Sequence, residues 1–205
     1  MNRLYYHMRI LIVFCHPSQE SFAAHTLAAV TDTLIRQGHE CVIRDLYADR
    51  FDPVLTAEEW SSYEQMADRD AALRRYVDDL ASCQGIVLIF PTWWYGMPAL
   101  MKGYLDRIWV PGVAFRFGPH RKIEAAILGH IKRFVVVTTY GSPWWWVKLW
   151  LRDPVRMAIL RGLRPLISPK CRTLWFALYG MDTNSERART AFIARVTKAM
   201  ETLAD

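Results

Sequence analysis

This 205-residue sequence lacks the signatures of several common protein classes. It has no uninterrupted apolar run of about 18 residues, so we expect no membrane-spanning helix. Its first apolar stretch ends in Cys15-His16-Pro17 instead of a small-residue cleavage site, so we expect no signal peptide. The four cysteines form no C-x-x-C pair, which favours free thiols in a reducing cytoplasm over a disulfide framework. Since no clustered ligands are seen, we expect no metal site.

The glycines exclude further classes, because no two of the ten lie two residues apart. A G-x-G-x-x-G dinucleotide turn is therefore impossible. The sequence also lacks the G-x-x-x-x-G-K-[ST] phosphate loop, the G-x-S-x-G nucleophile elbow and the H-E-x-x-H zinc motif. A Rossmann dehydrogenase, a P-loop NTPase and an ordinary serine hydrolase are all disfavoured.

Strand-like and helical patterns alternate along the whole chain. Strands are predicted over residues 9–15, 39–47, 86–91, 134–139 and 172–180. This order predicts an α/β fold with a doubly wound, five-stranded parallel sheet, strand order 2-1-3-4-5 and helices on both faces. We find no repeat or linker, and we expect one domain over residues 1–205, with residues 1–7 as a dispensable, disordered extension.

Helix boundaries also leave signals in the sequence. Ser21 is a predicted N-cap, and Gly38 is the stop of the helix that follows it. Pro98 fits the first turn of another helix, and further helices are predicted near residues 68–81 and 153–162. Two pairs, Thr56 with Glu59 and Thr183 with Glu186, have the spacing of capping boxes.

Three loops should meet where the predicted parallel strands end. "CHPSQESF" (15–22) offers hydroxyls, an imidazole and the free N–H groups of a helix start, which together suit a phosphate. "PTWWYG" (91–96) supplies rings for a planar heterocycle, and "TTYGS" (138–142) adds hydroxyls and a glycine. Taken one at a time, the first loop also fits helix capping, the second fits core filling and the third fits a simple turn. Their combination favours FMN or the flavin half of FAD.

The same stretches resemble one known family. "HPSQESF", "FPTWWYGMPALMKGYLDR" and "VVVTTYGS" resemble the phosphate loop, the central signature and the T-T-G-G turn of the flavodoxin-like NAD(P)H:quinone oxidoreductases. The likeness covers roughly residues 8–145. It implies a bound flavin and ping-pong transfer of hydride from NAD(P)H to a quinone or similar electrophile. It also implies a homodimer with the acceptor pocket at its interface.

The resemblance assigns site residues by position. The phosphate end would be held by His16, Ser18, Ser21, Phe22 and Ala23. The isoalloxazine would lie along Pro91, Thr92, Trp93, Trp94 and Tyr95, and its pyrimidine side would be covered by Thr138, Thr139, Tyr140 and Gly141.

The sequence also departs from the family pattern. Mammalian quinone reductases carry a tyrosine and a histidine shortly after T-T-G-G, whereas "SPWWWVKLWLRDP" follows here. Tyr140, which replaces the first glycine of that turn, is the nearest candidate for a catalytic hydroxyl. The long C-terminal extension of the mammalian enzymes has no counterpart, which favours FMN over FAD.

A basic, tryptophan-rich segment runs from Trp144 to Lys170. Its charged side chains are Lys148, Arg152, Arg156, Arg161, Arg164 and Lys170 against Asp153 alone. Three interpretations remain open: a lid whose arginines attract NADPH phosphates, a contact with an anionic membrane surface or a partner, and an ordinary dimer-interface helix.

The distribution of charge leaves alternative functions to weigh. The segment from Trp144 to Lys170 keeps one of them open, an ancillary regulatory subunit of a potassium-efflux type transporter at the membrane periphery. A net charge of +6 disfavours an electron-carrier flavodoxin, since those are usually acidic. Because the charges follow no recognition motif, we expect no nucleic-acid partner.

Overall fold

The computed structural model describes residues 7–64, 71–124 and 127–204. Its strands are β1 (Arg9–Phe14), β2 (Glu40–Asp45), β3 (Gly85–Pro91), β4 (Arg116–Phe117), β5 (Ile123–Glu124), β6 (Arg133–Tyr140) and β7 (Arg172–Tyr179). Five of them form a parallel sheet in the order β2-β1-β3-β6-β7, while β4 and β5 pair as a small antiparallel ribbon. Counted without the ribbon, this is the predicted 2-1-3-4-5 order, which is confirmed. The predicted extension lies outside the described residues except for His7.

Six α-helices connect or follow the strands in the described residues: α1 (Phe22–Arg36), α2 (Ala57–Ser61), α3 (Ala71–Ser82), α4 (Ala99–Ile108), α5 (Pro154–Met157) and α6 (Glu186–Glu201). The helix predicted near residues 153–162 is α5 continued by a π-helical turn over Ala158–Leu163. A second π-helical turn covers Trp146–Trp150. The helix predicted over 68–81 is α3, and residues 68–70 lie outside the described part.

The core has two halves because successive side chains of a strand point to opposite faces. Ile10, Ile12 and Phe14 of β1 pack with α1 and α6. Leu11 and Val13 pack with α3 and α4 on the other face. Every residue of β3 is buried, as expected for a strand covered on both faces.

The helix ends confirm two capping predictions and correct a third. Ser21 caps α1 by accepting from the N–H of Ala24, and Thr56 with Glu59 forms the predicted capping box. The box predicted for Thr183 and Glu186 is wrong, because Ser185 caps α6. The Thr183 hydroxyl instead donates to the carbonyl of Gly180 and closes a turn before the helix.

Gly103 is expected to be the most sensitive glycine to substitution, because α4 packs closely on the chain before α2. A Cβ at this position would overlap Pro53 Cβ, Cα and carbonyl oxygen. Gly103→Ala should lower the free energy of unfolding by about 1–3 kcal/mol through overpacking. Urea denaturation measures this effect.

Gly162→Ala is the matched control, since a Cβ added at this position would have no atom within 4 Å beyond its chain neighbours and the backbone of its own helical turn. It should leave stability unchanged or raise it by up to about 1 kcal/mol, because glycine is a poor helix former. Equal unfolding midpoints for the two variants would show that the contact with Pro53 does not constrain α4.

Candidate active site

A cavity of about 900 Å³ opens at the carboxyl edge of the parallel sheet. Its wall is formed by His16, Phe22, Ala23, Pro91, Thr92, Trp93, Trp94, Tyr95, Thr139, Tyr140, Gly141, Ser142, Met181 and Asp182. The three predicted loops therefore meet in one place. Most of the predicted site residues lie on the wall, whereas Ser18, Ser21 and Thr138 do not.

The start of α1 presents unpaired backbone donors to the cavity. The Ser21 side chain accepts from Ala24 N–H at 3.1 Å, and the Ser21 carbonyl accepts from His25 N–H at 3.0 Å. Within the described residues, the N–H groups of Phe22 and Ala23 have no hydrogen-bond acceptor. Both residues line the cavity at the positive end of the helix dipole, an arrangement that suits an anion.

Hydrogen bonds within the first loop hold it in shape. His16 Nδ1 accepts from Ser18 N–H at 3.0 Å, and Ser18 Oγ accepts from Glu20 N–H at 3.2 Å. The His16 ring lies 6.2 Å from the Trp93 ring, centroid to centroid. Ser18 thus supports the loop from outside the cavity, and His16 joins it to the aromatic turn.

The second loop is a tight turn with an unusual composition. Trp93 N–H donates to Gly96 carbonyl at 3.1 Å, and Gly96 N–H donates back to Trp93 carbonyl at 2.9 Å. Trp94 and Tyr95 between them have φ values of 49° and 57°, in the left-handed region. Two-residue turns of this kind normally contain asparagine and glycine, because side chains with a Cβ are strained there. Such strain is often found at functional sites.

The Tyr95 side chain stabilises this strained turn. Its hydroxyl lies 2.9 Å from Ser142 Oγ and accepts from Trp146 Nε1 at 3.2 Å. The turn also leaves the N–H groups of Trp94 and Tyr95 without an acceptor among the described residues. Trp94 lines the cavity and is 98% exposed.

The third loop is joined to the second through the ends of β3 and β6. Thr92 N–H donates to Thr139 carbonyl at 2.8 Å, and the hydroxyls of Thr92 and Thr138 lie 2.9 Å apart. A Cβ on Gly141 would come within 2.7 Å of Asp182 Oδ2, so glycine allows the loop after β7 to approach.

The Tyr140 hydroxyl has a structural partner. It is buried and donates to Asp153 Oδ1 at 2.6 Å, while Tyr179 donates to Asp153 Oδ2 at 3.2 Å. The two tyrosine rings stack with centroids 5.0 Å apart. Burial raises the pKa of both phenols, and the Asp153 carboxylate raises each further. The catalytic role of Tyr140 stays a prediction. Its hydroxyl is hydrogen-bonded to Asp153 and does not point freely into the cavity from the wall.

Sequence reasoning missed a fourth contribution to the site. Met181 and Asp182, which follow β7, line the cavity, as does Ser142, the last residue of the predicted third loop, to which no role was assigned. Since β7 is a parallel strand of the same sheet, the rule that located the other loops would also have located this one.

Three further findings concern the cysteines, the metal-ligating side chains and the helices. All four thiols are free, and burial raises the pKa of Cys15 to about 12. Across residues 7–64, 71–124 and 127–204, no three His, Cys, Asp or Glu side chains are grouped so as to hold a metal ion. Within the same ranges, no helix has the length and apolar character needed to cross a membrane.

Comparison with known proteins identifies the family. A family model described as the flavodoxin-like fold matches residues 8–149, and the chain belongs to that family. The uncharacterized NAD(P)H oxidoreductase YcaK of Escherichia coli is 32% identical over 133 residues, which cover 62% of this chain and 68% of the relative.

One further relative is named as an oxidoreductase, and one solved structure matches the fold. NAD(P)H dehydrogenase (quinone) 1 of Cavia porcellus is 27% identical over 65% of this chain, and the match spans only 54% of that relative's length. The crystal structure of Smu.1420 from Streptococcus mutans UA159 has a TM-score of 0.84 at 28% identity, covering 95% of this chain and all of the other. The predicted class, an oxidoreductase of flavodoxin-like fold, is confirmed.

We expect Tyr140→Phe to destabilise the protein by about 1–3 kcal/mol, because it leaves the buried Asp153 carboxylate with one donor fewer. It should also change the dependence of stability on pH. A tyrosine whose pKa is raised on folding stabilises the protein below its unfolded pKa of about 10, and this contribution is lost as the pH rises above that value.

Urea unfolding at neutral pH and near pH 11 measures both effects. The original protein should lose stability over this interval, and Tyr140→Phe should lose less. Tyr179→Phe is the companion variant, and it should act in the same direction. If both variants lost as much stability at alkaline pH as the original protein, the assigned role of the two tyrosines would be contradicted.

Proposed function

We propose that the chain binds a flavin in the cavity of about 900 Å³ and uses it as an NAD(P)H-dependent oxidoreductase acting on quinones or similar electrophiles. One observation carries this proposal: unpaired N–H groups at the start of α1 and in the aromatic turn border the same cavity. A phosphate at one end and a planar polar ring at the other are what a flavin presents.

The residues present fit such a cofactor. The N–H groups of Phe22 and Ala23 would hold the phosphate, with the helix dipole favouring its negative charge. The Ser18 and Ser21 oxygens accept backbone N–H bonds and so hold the loop and the helix start in shape around the phosphate position. Because a single helix start with unpaired donors borders the cavity within the described residues, we prefer FMN to FAD.

The ring end of the cavity would be shaped by the second and third loops. The N–H groups of Trp94 and Tyr95 would donate to the polar edge of the ring system, and the Trp93 side chain would border it. Gly141 would let the backbone approach its pyrimidine side. When bound, a flavin supplies hydride transfer from NAD(P)H to an acceptor in two separate half-reactions, and the protein supplies position and electrostatics.

The surface near the cavity supports an assembly. The exposed large apolar side chains of this region are Trp93, Trp94, Trp144, Trp145, Leu149 and Trp150. Groups of exposed rings of this kind mark contact surfaces. We place a homodimer contact here, with the acceptor entering beside it.

Sedimentation velocity should give a dimer, and Leu149→Ser with Trp150→Ser should shift it toward monomer. A monomeric parent protein would overturn the dimer.

The same exposed side chains favour one second candidate function, an ancillary subunit of a membrane transporter. In that case the chain would co-sediment with membranes that contain the transporter. It would then oxidise NAD(P)H slowly with every quinone of a panel. Rapid turnover together with no membrane association would exclude this alternative.

The main experiment is flavin uptake followed by turnover. The protein should acquire a yellow spectrum on addition of FMN, and the flavin released on denaturation should be identified by chromatography. NADH and NADPH oxidation is then followed with a panel of quinones. A protein that takes up neither FMN nor FAD would rule out the proposed function.

We expect Tyr95→Phe to weaken flavin binding by up to about 30-fold, because two hydrogen bonds that hold the strained turn are lost, at roughly 1 kcal/mol each. Quenching of flavin fluorescence measures the dissociation constant. Tyr63→Phe, at a tyrosine that shows no hydroxyl hydrogen bond in the described structure, is the matched control and should bind flavin as the parent does. Equal binding by the two variants would contradict the role of the Tyr95 hydroxyl.

A further inference from the structure

A second cavity of about 400 Å³ is lined by basic side chains. Its wall consists of Lys148, Arg152, Asp153, Arg156, Met157 and Arg161. No ion pair joins any of its four cations to an acidic side chain of the described residues. Four cations thus surround a concave space with a single carboxylate in its wall.

That carboxylate does not neutralise the cations by pairing with them. Asp153 is only 5% exposed, and its two oxygens accept from the hydroxyls of Tyr140 and Tyr179. Lys148 Nζ lies over the Tyr179 ring, 5.4 Å from its centroid. The charges of the cavity are therefore available to a ligand.

Two unusual backbone features occur in the segment that carries these cations. Arg152 and Asp153 both have left-handed φ values, 58° and 50°, immediately before α5 begins. Arg161 lies in the π-helical turn over Ala158–Leu163, whose hydrogen bonds run from i to i+5, and it lines the same cavity as Arg156. Such turns occur often at functional sites.

A neighbouring arginine serves as a contrast. Arg164 donates to Thr173 Oγ1 at 2.7 Å and to the carbonyl of Cys171 at 2.8 Å. It is thus committed to holding the chain before β7. Of the six cations in the basic segment, four therefore line this cavity, whereas Arg164 holds the backbone.

The two cavities are neighbours. Tyr140 lines the larger one, and its hydroxyl lies 2.6 Å from Asp153 of the smaller one. A ligand that reaches from the larger cavity past this contact would bring its far end among the cations.

We propose that Lys148, Arg152, Arg156 and Arg161 form a binding site for a phosphomonoester dianion. Resting on the proposed function, we assign this group to the 2′-phosphate by which NADPH differs from NADH. A phosphomonoester carries about −1.5 to −2 charges at pH 7, and guanidinium groups bind its oxygens in pairs. The enzyme therefore prefers NADPH.

The decisive variant is the double substitution Arg156→Gln with Arg161→Gln in the flavin-loaded protein. We expect kcat/KM for NADPH to fall by about 10- to 100-fold, the effect of losing charge-assisted hydrogen bonds, mainly through KM. The value for NADH should change less than about twofold. The control is Arg74→Gln with Lys198→Gln. These two exposed cations lie on α3 and α6, away from this cavity, so the control variant loses the same amount of charge.

A binding measurement gives a readout independent of turnover. Calorimetry should show that adenosine 2′-phosphate binds the parent protein, that adenosine does not, and that the double variant loses the binding. This test is valid even if the protein takes up no flavin, so failure of the proposed function is distinguishable from failure of this site.

Four outcomes would overturn the proposal. The first is an equal loss of kcat/KM for NADPH and NADH in the double variant. The second is a loss of kcat/KM for NADPH in the control variant as large as in the double variant. The third is the absence of adenosine 2′-phosphate binding to the parent protein. The fourth is binding of inorganic phosphate or phosphatidylserine vesicles with no preference for NADPH, which would assign the cations to a different anion.

Discussion

The site depends on the parallel hydrogen bonding of β1, β3, β6 and β7. Parallel strands end at the same edge, so loops that are far apart in the chain come together there. The contact of Thr92 N–H with Thr139 carbonyl continues the pairing of β3 and β6 past the strands and into the cavity wall. The fully buried β3 provides the rigid base from which the aromatic turn projects.

Strain in the aromatic turn is offset by contacts from other elements. Trp94 and Tyr95 adopt a conformation that their own side chains disfavour. The hydroxyl of Tyr95 contacts Ser142 and Trp146, so the third loop and the basic segment both hold the turn. The geometry of the proposed flavin site and the position of the segment after residue 144 are therefore coupled.

Most of the fold was predictable, because its signals are local and repeated. Apolar runs marked the buried strands, and capping residues such as Ser21 and Thr56 marked helix starts. The wrong capping-box prediction at Thr183 has a physical cause. A threonine three residues before a glutamate also suits a turn, and the Thr183 hydroxyl donates to the Gly180 carbonyl. The residues of the three loops were located by the same reasoning, with help from a family resemblance.

The sequence by itself determined the order of strands and helices, the three loops at one edge and the absence of a glycine-rich dinucleotide turn. Only the tertiary structure decided which polar groups are committed to partners. It paired Tyr140 and Tyr179 with Asp153, and it left Arg156 and Arg161 facing a cavity while Arg164 holds the backbone. The reason is that strand and helix patterns arise from neighbouring residues, whereas hydrogen-bond partners 13 or 26 positions apart depend on packing.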